Sequence, residues 1–235
     1  MANLYAGTSG FAYPTWKPRF YPPNLPSSRF LDHYATRLNC VEVNYTFRNI
    51  PSPKTLENWI KKTQAGFQFC PKAHMRITHI LRLRDAAEPT LAFLQSVEPL
   101  DRAGKLGPIL FQLPPNMKMD METLTAFLEI LPKKRRYAFE FRHPSWFTDA
   151  VYKALRKYKA ALCIAESEKL ETPDVSTADF TLYRLRKPTY SAKDLCAVAA
   201  KMNAVVAAGM DTYLFFKHEE TPEGALHAEE LLRGL

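Results

Sequence analysis

Three short apolar segments of the sequence carry polar side chains that are spaced two residues apart and could do acid–base or anion-binding chemistry. Side chains alternate between the two faces of a β-strand, so this spacing predicts that each pair shares one face. A carboxylate on such a face is a candidate for proton transfer, and a guanidinium group binds phosphate or carboxylate through charge-assisted hydrogen bonds. The pairs are Glu42 with Asn44 in VEVNY, Glu140 with Arg142 in AFEFRH, and Arg184 with Arg186 in YRLR.

Each pair also has a structural interpretation. Glu140 and Arg142 alternate with phenylalanines that would face a helical layer, which leaves the two charges inside. A buried charge is costly unless it is paired, so a structural Glu–Arg network competes on equal terms with contact to a substrate. The same alternatives apply to Glu42. Arg184 and Arg186 could instead form an exposed basic stripe, although the apolar residues that alternate with them favour an inward direction.

The elements that must hold these residues are short strands that alternate with helices. Several strand segments are nearly continuous apolar runs, as in parallel sheets that are covered by helices. Apolar residues at helical spacing follow most of them, and Ser52–Pro53, Asp120 and Ser191 with Asp194 supply helix starts. The predicted strands are Leu4–Thr8, Val41–Tyr45, Phe67–Pro71, Pro108–Leu113, Ala138–Arg142, Ala161–Ala165, Phe180–Leu185 and Thr212–Lys217.

This alternation predicts an α/β fold, a single-domain TIM-like (β/α)8 barrel over residues 1–235. No linker or change of composition divides the chain. The segment Glu168–Thr177 has only a weak helical pattern, so the crossover after the sixth strand is a candidate for an irregular connection. A doubly wound open sheet is the alternative, because periodicity alone does not separate the two folds.

In a barrel of this kind the chemistry lies at the carboxyl ends of the strands. Gln112 stands at such an end, since the LPP that follows it cannot continue a strand. The GTSG segment at 7–10 offers backbone amides to an anion, and His79 follows the third strand closely enough to reach the rim. The polar residues expected at this end are Thr8, Ser9, Glu42, Asn44, Lys72, Gln112, Glu140, Arg142, His143, Glu166, Arg184, Arg186, Lys217 and His218.

The sequence lacks the motifs of several function classes. Only 8 of 235 residues are glycine, and neither a Walker loop nor GxGxxG is present. The four cysteines form no CxxC pair, and there is no GxSxG elbow. Glu42, Glu140, Glu166, His143 and His218 are residue types that ligate metals. The Arg and Lys residues expected at the same end repel a cation, so we predict neither a metal nor another cofactor.

The charge balance suggests an anionic ligand. The chain has 32 Lys+Arg against 24 Asp+Glu, a formal net charge of +8, which favours encounters with anions without naming one. The KKRR run at 133–136 precedes a strand and is interpreted as a solvated loop at the opposite end of the barrel. No apolar run approaches the roughly 18 residues of a membrane span, and the first residues do not resemble a secretory signal. We therefore expect a cytoplasmic protein with no membrane partner.

Six blocks of the sequence span nearly the whole chain, in the order GTSGFAYPTWKPRFYP, VEVNYTFRNIP, FCPKAHMRITH, LGPILFQLPP, FEFRHPSWF and YRLR. Together they resemble the YecE-like family, catalogued as domain of unknown function 72. The resemblance implies a TIM-like barrel whose activity is not established. The last block departs from the family's usual RLHG, and Lys217 with His218 stands where amides are common, which makes the predicted mouth more cationic.

The resemblance adds weight to most of the strand-end residues and implies aromatic residues beside them. The predicted catalytic residues are Glu42, Glu140 and His143. The predicted substrate contacts are Ser9, Tyr13, Trp16, Asn44, Lys72, Gln112, Arg142, Trp146, Arg184, Arg186 and Lys217.

These residues predict an enzyme, a hydrolase or an isomerase, that acts on a small molecule bearing a phosphate or carboxylate in a basic pocket. One alternative is a non-catalytic protein that binds nucleic acid or a nucleotide through basic and aromatic residues. A second alternative is a glycoside-processing enzyme that uses Glu42 and Glu140, whose carboxyl groups would then lie roughly 5–10 Å apart.

Overall fold

The computed structural model describes residues 2–166, 170–217 and 220–234, which form eight strands that alternate with helices. The strands are β1 Leu4–Thr8, β2 Cys40–Val43, β3 Gln68–Pro71, β4 Ile109–Gln112, β5 Tyr137–Glu140, β6 Ala161–Ala165, β7 Phe180–Leu185 and β8 Asp211–Phe216. The helices are α1 Phe30–Arg37, α2 Pro53–Lys61, α3 Ala87–Ser96, α4 Glu98–Arg102, α5 Met121–Ile130, α6 Asp149–Lys157, α7 Ala192–Ala207 and α8 Glu223–Arg233.

The strands run parallel and close into a ring. Hydrogen bonds order six of them as β1-β8-β7-β6-β5-β4, and β2 pairs with β3. Isolated parallel bridges join these two sheets at both junctions, Ser9 with Glu42 between β1 and β2, and Lys72 with Leu110 between β3 and β4. The fold is therefore the predicted TIM-like barrel, and the open-sheet alternative is wrong.

Local sequence decides where three of the helices begin. Ser52 caps α2, which opens with Pro53, and Asp120 caps α5. Ser191 and Asp194 form a reciprocal capping box at the start of α7. Each cap satisfies backbone amides that lack a partner inside the helix, so these predicted starts are confirmed and have a local cause.

The interior of the barrel is apolar below its carboxyl-terminal end. Cys40, Cys70 and Cys163 are fully buried there, and burial raises the pKa of each thiol. Because the thiolate is the reactive form, these cysteines are inert packing residues. Side chains alternate along a strand, so the residues two positions further on, such as Glu42 after Cys40, also point inward and form the next layer up.

Two strands, β2 and β5, end two residues earlier than predicted, which moves Asn44 and Arg142 out of the barrel interior. β2 ends at Val43, and Asn44 opens a short 3-10 turn in which it is half-buried. β5 ends at Glu140, and Arg142 is exposed in the loop that leads to a second 3-10 turn, Pro144–Trp146. The prediction that Glu140 and Arg142 share a strand face is therefore wrong, because the strand does not reach Arg142.

The crossover from β6 to β7 agrees with its weak helical pattern, because its described residues, 166 and 170–179, contain no helix. The KKRR run does lie at the amino-terminal end of the barrel, but its two arginines are not simply solvated. Arg135 pairs with Asp101 and Arg136 with Asp211.

No helix in the described ranges is long and apolar enough to cross a membrane.

Candidate functional site

Six side chains from six different strands or strand ends form one hydrogen-bonded network at the carboxyl-terminal mouth of the barrel. Short strands with inward polar residues at their last positions produce this layer, since ring closure brings all the strand ends together. The members, in bonding order, are Ser9, Glu42, Arg184, Glu140, Gln112 and Lys72. We call these residues the mouth network.

Arg184 is the centre of the mouth network. Its Nη2 lies 2.7 Å from Glu42 Oε1 and its Nη1 lies 2.5 Å from Glu140 Oε2, and all three residues are at most 1% exposed. Burial disfavours the guanidinium charge, but the two carboxylates outweigh it and raise the pKa of Arg184. The arginine is therefore a permanent cation between two anions.

Glu140 has both carboxylate oxygens engaged. Oε2 accepts from Arg184 and from Gln112 Nε2 at 2.9 Å, and Oε1 accepts from Arg186 Nη2 at 3.2 Å. Burial alone would raise the pKa of Glu140, but the two arginines and the Gln112 hydrogen bond lower it to about 2. A carboxylate that stays ionised throughout the neutral range orients cations and is a poor proton carrier.

Glu42 differs from Glu140 in having an unused oxygen. Oε1 accepts from Ser9 Oγ at 2.8 Å and from Arg184, whereas the buried Oε2 has no hydrogen-bond partner among the described residues. Buried polar atoms nearly always have a partner. Oε2 of Glu42 therefore retains hydrogen-bonding capacity that the described residues do not use.

Lys72 ends the mouth network on the β3 side. Its Nζ donates to Gln112 Oε1 at 2.8 Å and lies 4.2 Å from the centre of the Phe47 ring. Burial and the neighbouring charge of Arg184 lower the pKa of Lys72 to about 8. This amine exchanges a proton close to physiological pH, which an ordinary lysine does not.

His79 lies on the rim beside this lysine. Its ring meets Phe47 edge-on at 5.0 Å, and its Nδ1 is 2.9 Å from Thr78 Oγ1. Burial, followed by the charges of Lys72 and Arg142, lowers the pKa of His79. The imidazole is therefore mostly neutral at pH 7. The sequence placed His79 near the rim but did not include it among the predicted site residues.

Arg186 connects the mouth network to a cleft of about 420 Å³ at the ends of β6 and β7. Its Nη2 contacts Glu140, and its buried Nε has no partner in the described part of the chain. Ile164, Ala165 and Pro188 supply apolar lining to this cleft. Arg186 therefore presents a cationic group beside a space that is large enough for a small molecule.

Glu166 shapes the same cleft from β6. Its Oε2 accepts from the backbone amides of Arg186 and Lys187, at 2.8 and 3.2 Å, and from the Tyr190 hydroxyl. These bonds hold the loop after β7 against the end of β6. The sequence did not single out Tyr190, which precedes a helix cap and has no motif of its own.

Four predicted residues lie on the rim outside the mouth network. His143 Nδ1 accepts from the Ser145 amide at 3.2 Å and lies 2.8 Å from Ser145 Oγ, so its Nδ1 is used to cap a turn. Arg142 and Lys217 are exposed, and Asn44 is half-buried. His218 lies outside the described residues.

The aromatic residues predicted to contact substrate belong mainly to the core. Trp146 is fully buried, donates from Nε1 to Met117 O at 2.7 Å and stacks on Phe141 at 4.6 Å. Trp16 is also fully buried. Tyr13 donates from its hydroxyl to Ser9 O at 2.9 Å, so it supports the backbone of the mouth network. The two tryptophans have no face open to a ligand, because packing has covered their large apolar surfaces.

Metal ligands do not gather in the described ranges. No group of three or more His, Cys, Asp or Glu side chains is arranged there to hold a metal ion. Glu42 and Glu140 instead share a guanidinium cation, which takes the electrostatic place that a metal would occupy between two carboxylates.

Solved structures with a similar fold include a protein of the DUF72 family and a more distant neighbour. A DUF72 family protein from Thermotoga maritima MSB8 aligns with a TM-score of 0.87 and 26% identity, covering 98% of both chains. An AP endonuclease of family 2 from Brucella melitensis aligns with a TM-score of 0.53 and 10% identity over 93% of both chains, which shows a likeness of fold alone.

Sequence comparison gives the family. The UPF0759 protein YecE of Escherichia coli K12 is 32% identical over 145 residues, which are 61% of this chain and 50% of that protein. The matched region thus spans about half of the length of this curated relative. The family model described as protein of unknown function DUF72 matches residues 5–235 of this chain. The chain belongs to the DUF72 family.

Proposed function

We propose that this protein is an enzyme that acts on a small anionic molecule, bearing a phosphate or a carboxylate, at the carboxyl-terminal mouth of the barrel. The observation that carries the proposal is the set of unsatisfied polar atoms in the mouth. Arg184 Nε, Arg186 Nε and Glu42 Oε2 are buried and have no partner among the described residues. Two donors on cations and one acceptor on an anion match a ligand that has both an anionic group and a hydroxyl.

The charges of the site support an anion as the ligand. Arg184, Arg186 and Lys72 bring three cations to the two carboxylates of Glu42 and Glu140, which leaves one positive charge in excess. The exposed side chain of Arg142 adds positive charge at the rim. An anion that enters the mouth is therefore attracted by the excess positive charge and receives charge-assisted hydrogen bonds.

Proton transfer in this proposal belongs to Lys72 and His79, with Glu42 as the carboxylate that contacts a substrate hydroxyl. Both basic groups have a pKa that burial and neighbouring cations lower. Lys72, with a pKa of about 8, titrates near neutral pH, where general acids and bases are most effective, and the lowered pKa of His79 keeps its imidazole able to accept a proton. Glu140 has the role of orienting Arg184 and Arg186.

The glycoside-processing alternative has weaker support. One guanidinium bridges Glu42 and Glu140, so the two carboxylates are close, as that chemistry needs. A glycosidase also needs one carboxyl group that is protonated at working pH. The lowered pKa of Glu140, about 2, and its full set of bonds do not suit it to that role.

Nucleic-acid binding is a second candidate, and the rim above β3 and β4 favours it. Arg82, Arg84 and Lys118 line a surface hollow of about 730 Å³ there, beside the exposed Ile80. Arg84 is paired with Asp120, which weakens the patch. Binding to phosphates of this kind weakens steeply with salt, whereas a small anion in a partly buried mouth is less sensitive.

The test is a thermal-shift screen of phosphorylated and carboxylated metabolites, nucleotides and short single-stranded DNA, followed by calorimetry of the compounds that bind. A ligand that binds the folded state raises the melting temperature by mass action. Arg186→Gln removes one charge-assisted contact, and we expect affinity for the small anion to fall about ten- to a hundredfold.

Arg102→Gln is the matched control, because Arg102 is an exposed arginine paired with Glu98 on a surface helix. Its affinity for the anion should equal that of the wild type. If no small anion binds and only single-stranded DNA shifts the melting temperature, in a salt-dependent manner, the second candidate replaces the first.

A further inference from the structure

Lys72, which is half-buried, differs from Lys105, which is buried. Lys105 Nζ donates to Ile60 O, Thr63 O and Thr63 Oγ1, which satisfies all three ammonium protons. Lys72 Nζ donates to a single oxygen, Gln112 Oε1, and has no carboxylate within ion-pair distance in the described ranges. Lys72 is therefore a half-buried amine with a single acceptor at the barrel mouth, and a purely structural role does not account for this arrangement.

We propose that Lys72 forms an imine, through its Nζ, with the aldehyde or ketone group of a small anionic substrate. This inference rests on the proposed function, and it narrows the substrate class from anions to anionic carbonyl compounds. Amine nucleophiles in enzymes are activated by removal from water and by a neighbouring cation. Lys72 has both features, since its side chain is half-buried and the nearby charges of Arg184 and Arg186 disfavour its ammonium form.

The backbone holds Lys72 firmly at the mouth. Its amide donates to Val43 O, and its carbonyl accepts from Thr46 Oγ1 at 2.7 Å. The Gln112 amide accepts one Nζ proton, and the Phe47 ring covers one side of the amine. These contacts fix the direction of the nitrogen, as a reaction at a defined carbon requires.

The chemistry balances without a cofactor. The lone pair of neutral Nζ forms a bond to the carbonyl carbon, and the π electrons move to oxygen, which takes up a proton released by the nitrogen. A second proton converts this hydroxyl to water, and water leaves as nitrogen forms the C=N bond. Amine, carbonyl compound and one proton thus give a protonated imine and one water. Solvent supplies the second proton, since Lys72 is only half-buried.

The ionisation of Lys72 is set by groups from several strands. Burial, Arg184 and Arg186 favour the neutral amine, whereas Glu42 and Glu140 favour the ammonium. With a pKa of about 8, half of the amine is neutral at pH 8. An exposed lysine has a neutral fraction that is roughly a hundredfold smaller at that pH.

The experiment compares each anionic aldehyde with a matched molecule in which an alcohol replaces the aldehyde group. Pyridoxal 5′-phosphate and glyoxylate are each trapped on the protein with sodium borohydride at pH 8, and the modified lysines are mapped by peptide mass spectrometry. Pyridoxine 5′-phosphate and glycolate report reversible binding of the same anions by calorimetry. We expect Lys72 to be modified more than about tenfold faster than Lys118, an exposed rim lysine.

Lys72→Arg separates the two proposals, because it keeps the cation and removes the nucleophilic amine. The variant should bind pyridoxine 5′-phosphate or glycolate within about threefold of the wild type and show no labelling at position 72. Lys118→Arg should leave labelling of Lys72 unchanged. If pyridoxine 5′-phosphate or glycolate binds but trapping spreads evenly over surface lysines, the imine is wrong and the anion site stands. If neither molecule binds and neither aldehyde labels Lys72, both proposals fall.

Discussion

The two ends of this barrel both carry buried or half-buried arginines, but they use them differently. At the amino-terminal end, Arg136 Nη1 lies 2.7 Å from Asp211 Oδ2 and 3.2 Å from the Tyr213 hydroxyl, and its guanidinium lies 5.2 Å from the Phe180 ring. Asp211 is further satisfied by the Asn3 amide. At this end one arginine therefore pairs with one carboxylate, and the role of the pair is structural.

The mouth network, taken together with Arg186, has instead one more cation than carboxylates and several buried polar atoms without a partner among the described residues. Arg184, Arg186 and Lys72 meet two carboxylates, and buried atoms of Arg184, Arg186 and Glu42 lack partners in the described ranges. Both ends derive from similar sequence signals, since KKRR and YRLR are both basic runs beside strands. The difference teaches that basic residues indicate function only when their partners leave charge and hydrogen-bonding capacity unused.

Arg184→Met should produce the largest loss of stability. The variant leaves two buried carboxylates without their shared cation, and removal of one partner from a buried pair costs about 3–5 kcal/mol. Urea unfolding followed by circular dichroism measures this change in the free energy of unfolding. A loss below about 1 kcal/mol would mean that the mouth network does not depend on Arg184 and would break the comparison.

Lowering the pH should reduce the stability that the mouth network contributes more than the stability contributed by the ion pair at the amino-terminal end. The folded-state pKa of Glu140, about 2, is below its ordinary value of 4.5, so its stabilisation is complete above pH 4.5 and is lost as the pH falls towards 2. By linkage, about 2 kcal/mol of this contribution disappears between pH 7 and pH 3.

Glu140→Gln removes the titrating group, so the difference in unfolding free energy between wild type and variant should shrink over the same range. Unfolding curves of both proteins at pH 7, 5 and 3 test this expectation. A constant difference between the two proteins would contradict the assigned direction of the pKa shift.

Arg136→Met should cost less, about 1–2 kcal/mol, because Asp211 keeps its bond to the Asn3 amide and the pair is partly exposed. The variant should bind small anions as the wild type does. Calorimetry beside unfolding curves distinguishes the two effects. Weakened anion binding in this variant would show that the two ends are not functionally separate.

Arg102→Gln should have the smallest effect, below about 0.5 kcal/mol, since both side chains of its pair with Glu98 are exposed. Its melting temperature sets the baseline against which the two ends are compared. A loss as large as that of Arg136→Met would mean that surface pairs matter as much as the pair at the amino-terminal end.

Much of the architecture was predictable because its causes are local. Strand segments such as Ala161–Ala165 and Phe180–Leu185 coincide with the observed β6 and β7, and the caps at Ser52, Asp120 and Ser191 begin helices as predicted. Alternation within a strand also placed Glu42, Glu140 and Arg184 in the interior. The error concerns a strand end, because β5 stops before Arg142 and leaves it exposed. Arg186 also lies just beyond its strand, but it points inward and contacts Glu140.

The sequence by itself determined the order of strands and helices, the helix starts, and which charged residues face inward, because residue type and period act over a few positions. Only the tertiary structure decided which charges meet. Arg184 and Glu42 are 142 positions apart, and ring closure alone brings them to 2.7 Å. Tertiary packing also buried Trp16 and Trp146, and at the mouth it left Glu42 Oε2 without a partner among the described residues and Lys72 Nζ with a single acceptor, Gln112 Oε1.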